Sequence, residues 1–296
     1  MNDRPFASIA PAVVVAVLLV IPQAAAAQTV ARTPDGQPDI QGIWRPDVDG
    51  ASHSVEEGPE PANAAIGGQR DRKRNTIIVG EGPQPTLPYQ PWAEAKRREH
   101  LANVHTPTKW SHLEPEDRCL LNGMPRSNYR GTMQMLQTPG AVTMLYEWTH
   151  AHRVIPLDGR PHLPSAVRLW NGDSRGRWEG NTLVVDVTNF HVDPVEGTMQ
   201  PWLDSHGSFY SDALHVVERW TLVDADTIRF EATIEDPKVF TRPWKLGFDL
   251  ERNREKGFEL IEEACFEGER NTANMITAGQ KAKAAGQTGI HTHDAP

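Results

Sequence analysis

From Gln134 onward, apolar and polar residues alternate with a period of two, which marks β-strands with one buried face. LHVVERWTLV, the turn Asp224-Ala225-Asp226 and TIRFEATIED read as a hairpin. In its second arm Ile228, Phe230, Ala232 and Ile234 share one face, and Arg229, Glu231, Thr233 and Glu235 share the other. AVTMLYEWTHAHRVIPL reads as a strand closed by the turn Asp158-Gly159. TLVVDVTNF reads as another, entered through a Gly-flanked turn over 177–180, and WKLGFDL with FELIEEAC as a further hairpin about a polar turn over 251–257. Successive hairpins without a βαβ rhythm predict an all-β fold, an antiparallel barrel or alternatively a β-sandwich. A barrel of about eight strands can hold one small ligand.

The rest of the chain is patterned differently. Residues 1–27 carry one early arginine, an apolar run and a small-residue end, the layout of a secretory signal peptide that places the mature protein in the periplasm or outside the cell. Residues 28–111 are loop-rich, with a short strand over 40–44 and a helix within LPYQPWAEAKRREHLANV. They are expected to wrap the barrel surface, pinned by Trp44, Tyr89 and Trp92. The barrel domain is placed over 112–270, with a terminal helix and disordered tail over 271–296.

The formal net charge of −9 argues against a nucleic-acid partner, and no apolar span follows the signal to hold the mature chain in a membrane. Two cysteines, Cys119 and Cys265, suit one disulfide in an oxidising compartment, worth at most roughly 5 kcal/mol of chain entropy. Oligomeric state is not readable.

PDIQGIW, LPYQPWAE, CLLNGMPR, LYEWTHAHRVIPLDGRPH, GDSRGRWEGNTLVVDVTNF, SDALHVVERWTLVDADTIRFEATIEDP and TRPW together give the chain a resemblance to a large group of exported bacterial proteins with lipocalin-like β-barrel character, most without an assigned activity. The resemblance implies export and fold, and three shared polar clusters: Asp158, Gly159, Arg160 and His162; Asp173, Arg177, Trp178, Glu179 and Asp186; Glu218, Asp236, Arg242 and Trp244. It implies no catalytic assignment.

The residues themselves suggest chemistry. In LDGRPH, Arg160 and His162 serve either as turn residues or as an anchor and a general acid–base group. Asp186 lies opposite Leu183, Val185 and Val187 on its strand, on a mixed face that would line the lumen if the apolar face were the outer layer. His191 follows at the strand end and could join Asp186 and His162. Glu218 interrupts the apolar row of Leu214, Val216, Trp220 and Leu222. It is read as a buried ion pair with Arg242 or Arg177, as a catalytic acid, or as turned outward by a bulge. Arg160, Arg177, Trp178, Arg242, Trp244 and Tyr146 are the candidate substrate-binding side chains. His150 and His152, two apart on an expected strand, could chelate a divalent metal. GxSxG, P-loop, GxGxxG and HExxH signatures are lacking, so no nucleotide cofactor is expected. Three functions follow: a cofactor-free acid–base enzyme (lyase, isomerase, hydratase or hydrolase) acting on a small, mostly apolar or ring-containing molecule in a barrel cavity; a non-catalytic ligand carrier; and a metal-dependent enzyme using His150 and His152.

Overall fold

A computed structural model describes residues 30–47, 54–56, 77–80, 85–192, 201–261 and 268–287. The expected signal peptide and Cys265 lie outside these residues, so the disulfide stands as a proposal. Among the described residues, no helix is long and apolar enough to cross a membrane.

Ten strands form one antiparallel sheet: β1 (Gly42–Pro46), β2 (Ile78–Val79), β3 (Met133–Thr138), β4 (Ala141–Tyr146), β5 (His152–Pro156), β6 (Asp173–Glu179), β7 (Thr182–Thr188), β8 (His215–Leu222), β9 (Thr227–Glu235) and β10 (Trp244–Arg252). Nine run in the order β5-β4-β3-β1-β10-β9-β8-β7-β6 and curl into a nearly closed barrel, while β2 pairs with β10. The fold is the all-β barrel expected. The helices are α1 (Pro91–Asn103), started by its proline, and α2 (Gly268–Ala284).

Alternation decides what faces in. Ile228, Phe230, Ala232 and Ile234 of β9 are buried, and β8 buries Val216, Glu218, Trp220 and Leu222 beside them. Rings fill this side: Trp220 lies 4.4 Å from Phe230, and Phe230 lies 4.9 Å from Phe248, centroid to centroid. Each such side chain contributes roughly 1.5–3 kcal/mol by leaving water.

Several expectations change. The N-terminal segment supplies a stave, β1, hydrogen-bonded between β10 and β3. Its Trp44 is fully buried and donates to the Ile40 carbonyl at 2.8 Å. AVTMLYEWTHAHRVIPL is two strands: a 3-10 turn at Trp148–His150, with Thr149 at φ 56°, separates β4 from β5. His150 therefore lies in that turn and His152 opens β5, so the two do not share a strand face. FELI, over 258–261, is irregular rather than the second arm of a hairpin, because the polar turn after β10 is followed by no pairing among the described residues. The stretch DSRGRWE adds β6, joined to β7 by a two-residue turn in which Gly180 takes φ 61°.

No ladder joins β5 to β6 among the described residues. Side chains bridge that seam instead: Arg153 of β5 donates from Nε to Ser174 Oγ of β6 at 2.8 Å. Gly176 gives Ile155 and Leu157 room to cross it, since a Cβ there would stand 2.7 Å from Ile155 Cγ2 and 2.6 Å from Leu157 Cδ2. Gly176→Val should cost about 1–3 kcal/mol by overpacking, read as a lower urea midpoint. An unchanged midpoint would show that the seam does not depend on this approach.

Candidate active site

The inner face of β7 is the apolar one. Leu183, Val185 and Val187 are buried opposite Trp220, Glu218 and Val216 of β8, which leaves Asp186 on the outer face between Arg175 and Val217. The mixed face is thus the outer one, because β7 turns its uninterrupted apolar row to the core.

Outside the barrel a surface arm, residues 157–171, brings His162 onto Asp186. His162 Nε2 is 2.9 Å from Asp186 Oδ1, and Nδ1 is 2.8 Å from Asp173 Oδ2. His215 Nε2 reaches Asp186 Oδ2 at 3.2 Å, and its Nδ1 lies 3.8 Å from Glu235 Oε2. A carboxylate only accepts, so the contacts to Asp173 and Asp186 are hydrogen bonds when the facing ring nitrogen carries a proton, while Glu235 is beyond hydrogen-bond distance. Asp173 is 4% exposed and is matched by Arg175 Nη1 at 2.6 Å and by the Leu163 amide at 2.9 Å. It is a rigid anchor for the imidazole. The working edge is open: His162, Asp186 and His215 are 29%, 35% and 38% exposed. Arg175 Nε to the Pro161 carbonyl, and Asn189 Nδ2 to the Leu163 carbonyl, both at 2.9 Å, hold the arm in place.

The other expected site residues are dispersed. His191 lies against Trp170, centroids 5.2 Å apart, and has no hydrogen bond to the His162 cluster. Arg160 clasps Asp158 on the surface. Arg177 pairs with Glu179 at 2.7 Å, and Arg242 is exposed, donating to the Pro243 carbonyl at 3.4 Å. Trp178 is half-buried against the core, and Trp244 is buried edge-on to Phe240. Tyr146 points inward and donates to Asn128 Oδ1 at 2.9 Å, and burial raises its hydroxyl pKa. Among the described residues no group of three or more His, Cys, Asp or Glu could hold a metal ion.

Glu218 faces the lumen, fully buried, and is neither bulged outward nor paired with Arg242 or Arg177. Its partner is Arg153, whose Nη1 meets Oε2 at 2.8 Å; Trp220 Nε1 donates to the same oxygen at 3.2 Å and Asn128 Nδ2 to Oε1 at 3.1 Å. Burial alone would lower the Arg153 pKa, but the Glu218 carboxylate overrides it and raises it. The signal for Arg153 was present: it shares parity with Ile155 on an apolar strand face, as Glu218 does on its own.

A second polar cluster, in the stretch before β3, drew no attention in the sequence. Arg126, fully buried, pairs with Glu114 and donates to Ser205 Oγ at 3.1 Å, while Arg130 clasps Glu116 at 2.7 Å. Burial opposes the charge on Glu116, yet Arg126 and Arg130 hold its pKa at about 2. Asp117 goes the other way: burial, then Glu114 and Glu116, push it up to about 6. These residues sit in short 3-10 turns and the irregular backbone around them, without periodicity, so no pattern marks them.

Two predictions follow from these charges. Removing one partner of the lumen pair, Glu218→Gln or Arg153→Met, should cost about 3–5 kcal/mol, whereas removing both together should cost less than either. Equal or additive losses in denaturant titrations would refute the pairing. Asp117 is favoured protonated in the folded state, so its contribution is complete below pH of about 4 and is lost as pH rises through about 6. Asp117→Asn should therefore stabilise by about 1–2 kcal/mol at pH 8, after discount for solvent, and by nothing at pH 4. Glu116 acts oppositely, its contribution being lost as pH falls from 4.5 through about 2, and it is present in wild type and variant alike. A stability difference independent of pH would contradict the burial of Asp117.

The chain matches no described protein family and no curated protein.

Proposed function

We propose that the protein is an exported, cofactor-free acid–base enzyme whose site is the outer-face cluster of His162, Asp186, Asp173 and His215, acting on a small, mostly apolar or ring-containing molecule as a lyase, isomerase, hydratase or hydrolase. One observation carries this reading: an imidazole fixed by a buried, charge-matched carboxylate presents its other nitrogen to a half-exposed carboxylate. A held imidazole of that kind can donate and accept a proton at a fixed position. Asp173 positions the ring, and His162 moves the proton. Asp186 and His215 face the same opening, where they can stabilise charge or pass the proton onward. The arm adds apolar surface beside the site, with Leu163, Val167 and Leu169 about two-fifths exposed (39%, 40% and 41%). Carriage of a ligand in the barrel centre has less support, since Trp220, Phe230 and Phe248 meet there. Export rests on the signal-like residues 1–27 and on the resemblance to exported barrel proteins.

The test is metabolite profiling with protein purified from the periplasm of an expressing bacterium. Wild type should deplete one compound, and His162→Ala and Asp186→Asn should each lower that rate about 10²–10⁴-fold, with Asp173→Asn lowering kcat while far-ultraviolet dichroism stays unchanged. No change in any compound with wild type, or full activity in His162→Ala, would overturn the reading.

A further inference from the structure

Helix α2 is seated on the loop over 106–108. Gly279 lies so close to that loop that a Cβ on it would stand 2.1 Å from the Pro107 carbonyl oxygen and 2.7 Å from the Pro107 nitrogen. One position on, Gln280 donates from Nε2 to the Thr108 carbonyl at 3.1 Å, and Lys283 donates to Asn103 Oδ1 at the end of α1. Both hydrogen bonds are exposed to solvent, so this end of α2 can open without unfolding the barrel.

His112 holds Thr108 from the other side. The Thr108 amide donates to His112 Nδ1 at 3.3 Å, and the Thr108 hydroxyl lies at the same distance from that nitrogen. An N–H aimed at Nδ1 needs a lone pair there, so the ring in this position is neutral and carries its proton on Nε2. Protonating Nδ1 would set two hydrogens against each other and break the contact. Thr108 is thus gripped at its amide by His112 and at its carbonyl by α2.

The titratable and charged groups facing the ring are Lys109 of its own turn, Glu99 and His100 of α1, and Lys283 of α2. Burial first, then Lys109 and Lys283, lower the His112 pKa, against the pull of Glu99. That pull is weak, since Glu99 Oε1 is 4.0 Å from Nε2, is itself exposed, and also faces Lys109 at 3.5 Å. The neutral ring is therefore the form that the docked state favours. Its contribution is complete above the 6.5 of a free histidine and is lost as pH falls from there through the lowered value. Asp117, in the turn Glu116–Arg118 that α2 also touches, acts in the opposite sense, because its protonated form is the favoured one.

We propose that His112 and Thr108 form a pH-sensitive latch for α2: in mild acid the charged imidazole releases the Thr108 amide, and the C-terminal part of α2 lifts from the loop. Lifting bares the backbone of Thr106 and Pro107 beneath Gly279, a surface that α2 covers at neutral pH. The latch shares no residue with the His162 cluster and does not rest on the acid–base reading.

The experiment measures amide hydrogen exchange of the full chain by mass spectrometry at about pH 7.5 and about pH 5, each corrected for the intrinsic exchange rate at that pH. Protection over 272–284 should fall about tenfold between the two, roughly the worth of one lost hydrogen bond, while the β8–β9 hairpin keeps its protection. His112→Asn retains an acceptor but takes up no proton, so its α2 should stay protected at both values. His112→Lys carries the charge at both, and its α2 should be unprotected at both. The asparagine variant decides the matter even if burying a lysine unfolds the other. Equal protection of wild-type α2 at the two values would overturn the proposal, as would a tenfold fall that persists in His112→Asn.

Discussion

The barrel depends on an ion pair that an apolar interior would not be expected to contain. Glu218 and Arg153 meet inside it, 0% and 2% exposed at the side chain, and taking two such charges out of water costs several kcal/mol each unless their remaining valences are met. Most are: Trp220 and Asn128 serve the carboxylate, and Ser174 accepts from the guanidinium. These partners come from β8, β6 and the stretch before β3. The pair therefore does what the absent β5–β6 ladder would otherwise do. It holds β5 to its neighbours through side chains, and it gives the segment around Asn128 a fixed seat over the barrel end. Because a half-made network of this kind is worse than none, closure of the seam and seating of that segment are coupled.

Fixing the inside also fixes the outside. Once Leu183, Val185 and Val187 join Trp220 and Glu218 in the core, pleating sends Asp186 to the opposite surface. Asp186 and Glu218 lie on adjacent strands yet face opposite sides of the sheet, so they cannot share a reaction. What Asp186 does meet is the arm over 157–171, which lies over the outer face of β6 and β7 and is fastened there by His162 on Asp173 and Asp186. The carboxylates that fasten the histidine are also the groups that the proposed proton transfer would use. In the proposed reaction anchoring and chemistry would use the same atoms, so His162→Ala and Asp173→Asn need a kinetic readout and a folding readout together.

How much was legible in the sequence followed from range. The β8–β9 hairpin and α1 were readable, since alternation over nine residues and a proline at a helix start are local signals. Glu218 was readable as an anomaly for the same reason. Its partner was not, because Arg153 stands 65 positions away and only the strand order, with β5 and β6 at the two ends of the sheet, brings it close. β6 escaped because DSRGRWE has few β-favouring residues, although Gly180-Asn181 before a strong strand was a usable hairpin signal. His150 and His152 were read as two residues of one strand, whereas His150 lies in a 3-10 turn and His152 opens β5, a break that the residue types do not announce.

Incomplete closure also explains why polar side chains collect at the seam. Along a ladder every backbone donor and acceptor is spent on the neighbouring strand, and side chains alternate between core and solvent with little freedom. Between β5 and β6 those obligations lapse. Arg153, Ser174 and Asn171 side chains take over the work of closure. The Arg153–Ser174 bridge and the Asn171 bond to the His152 carbonyl are two outcomes of that one constraint. A barrel sealed by a tenth rung of ladder would be more uniform, and it would have neither.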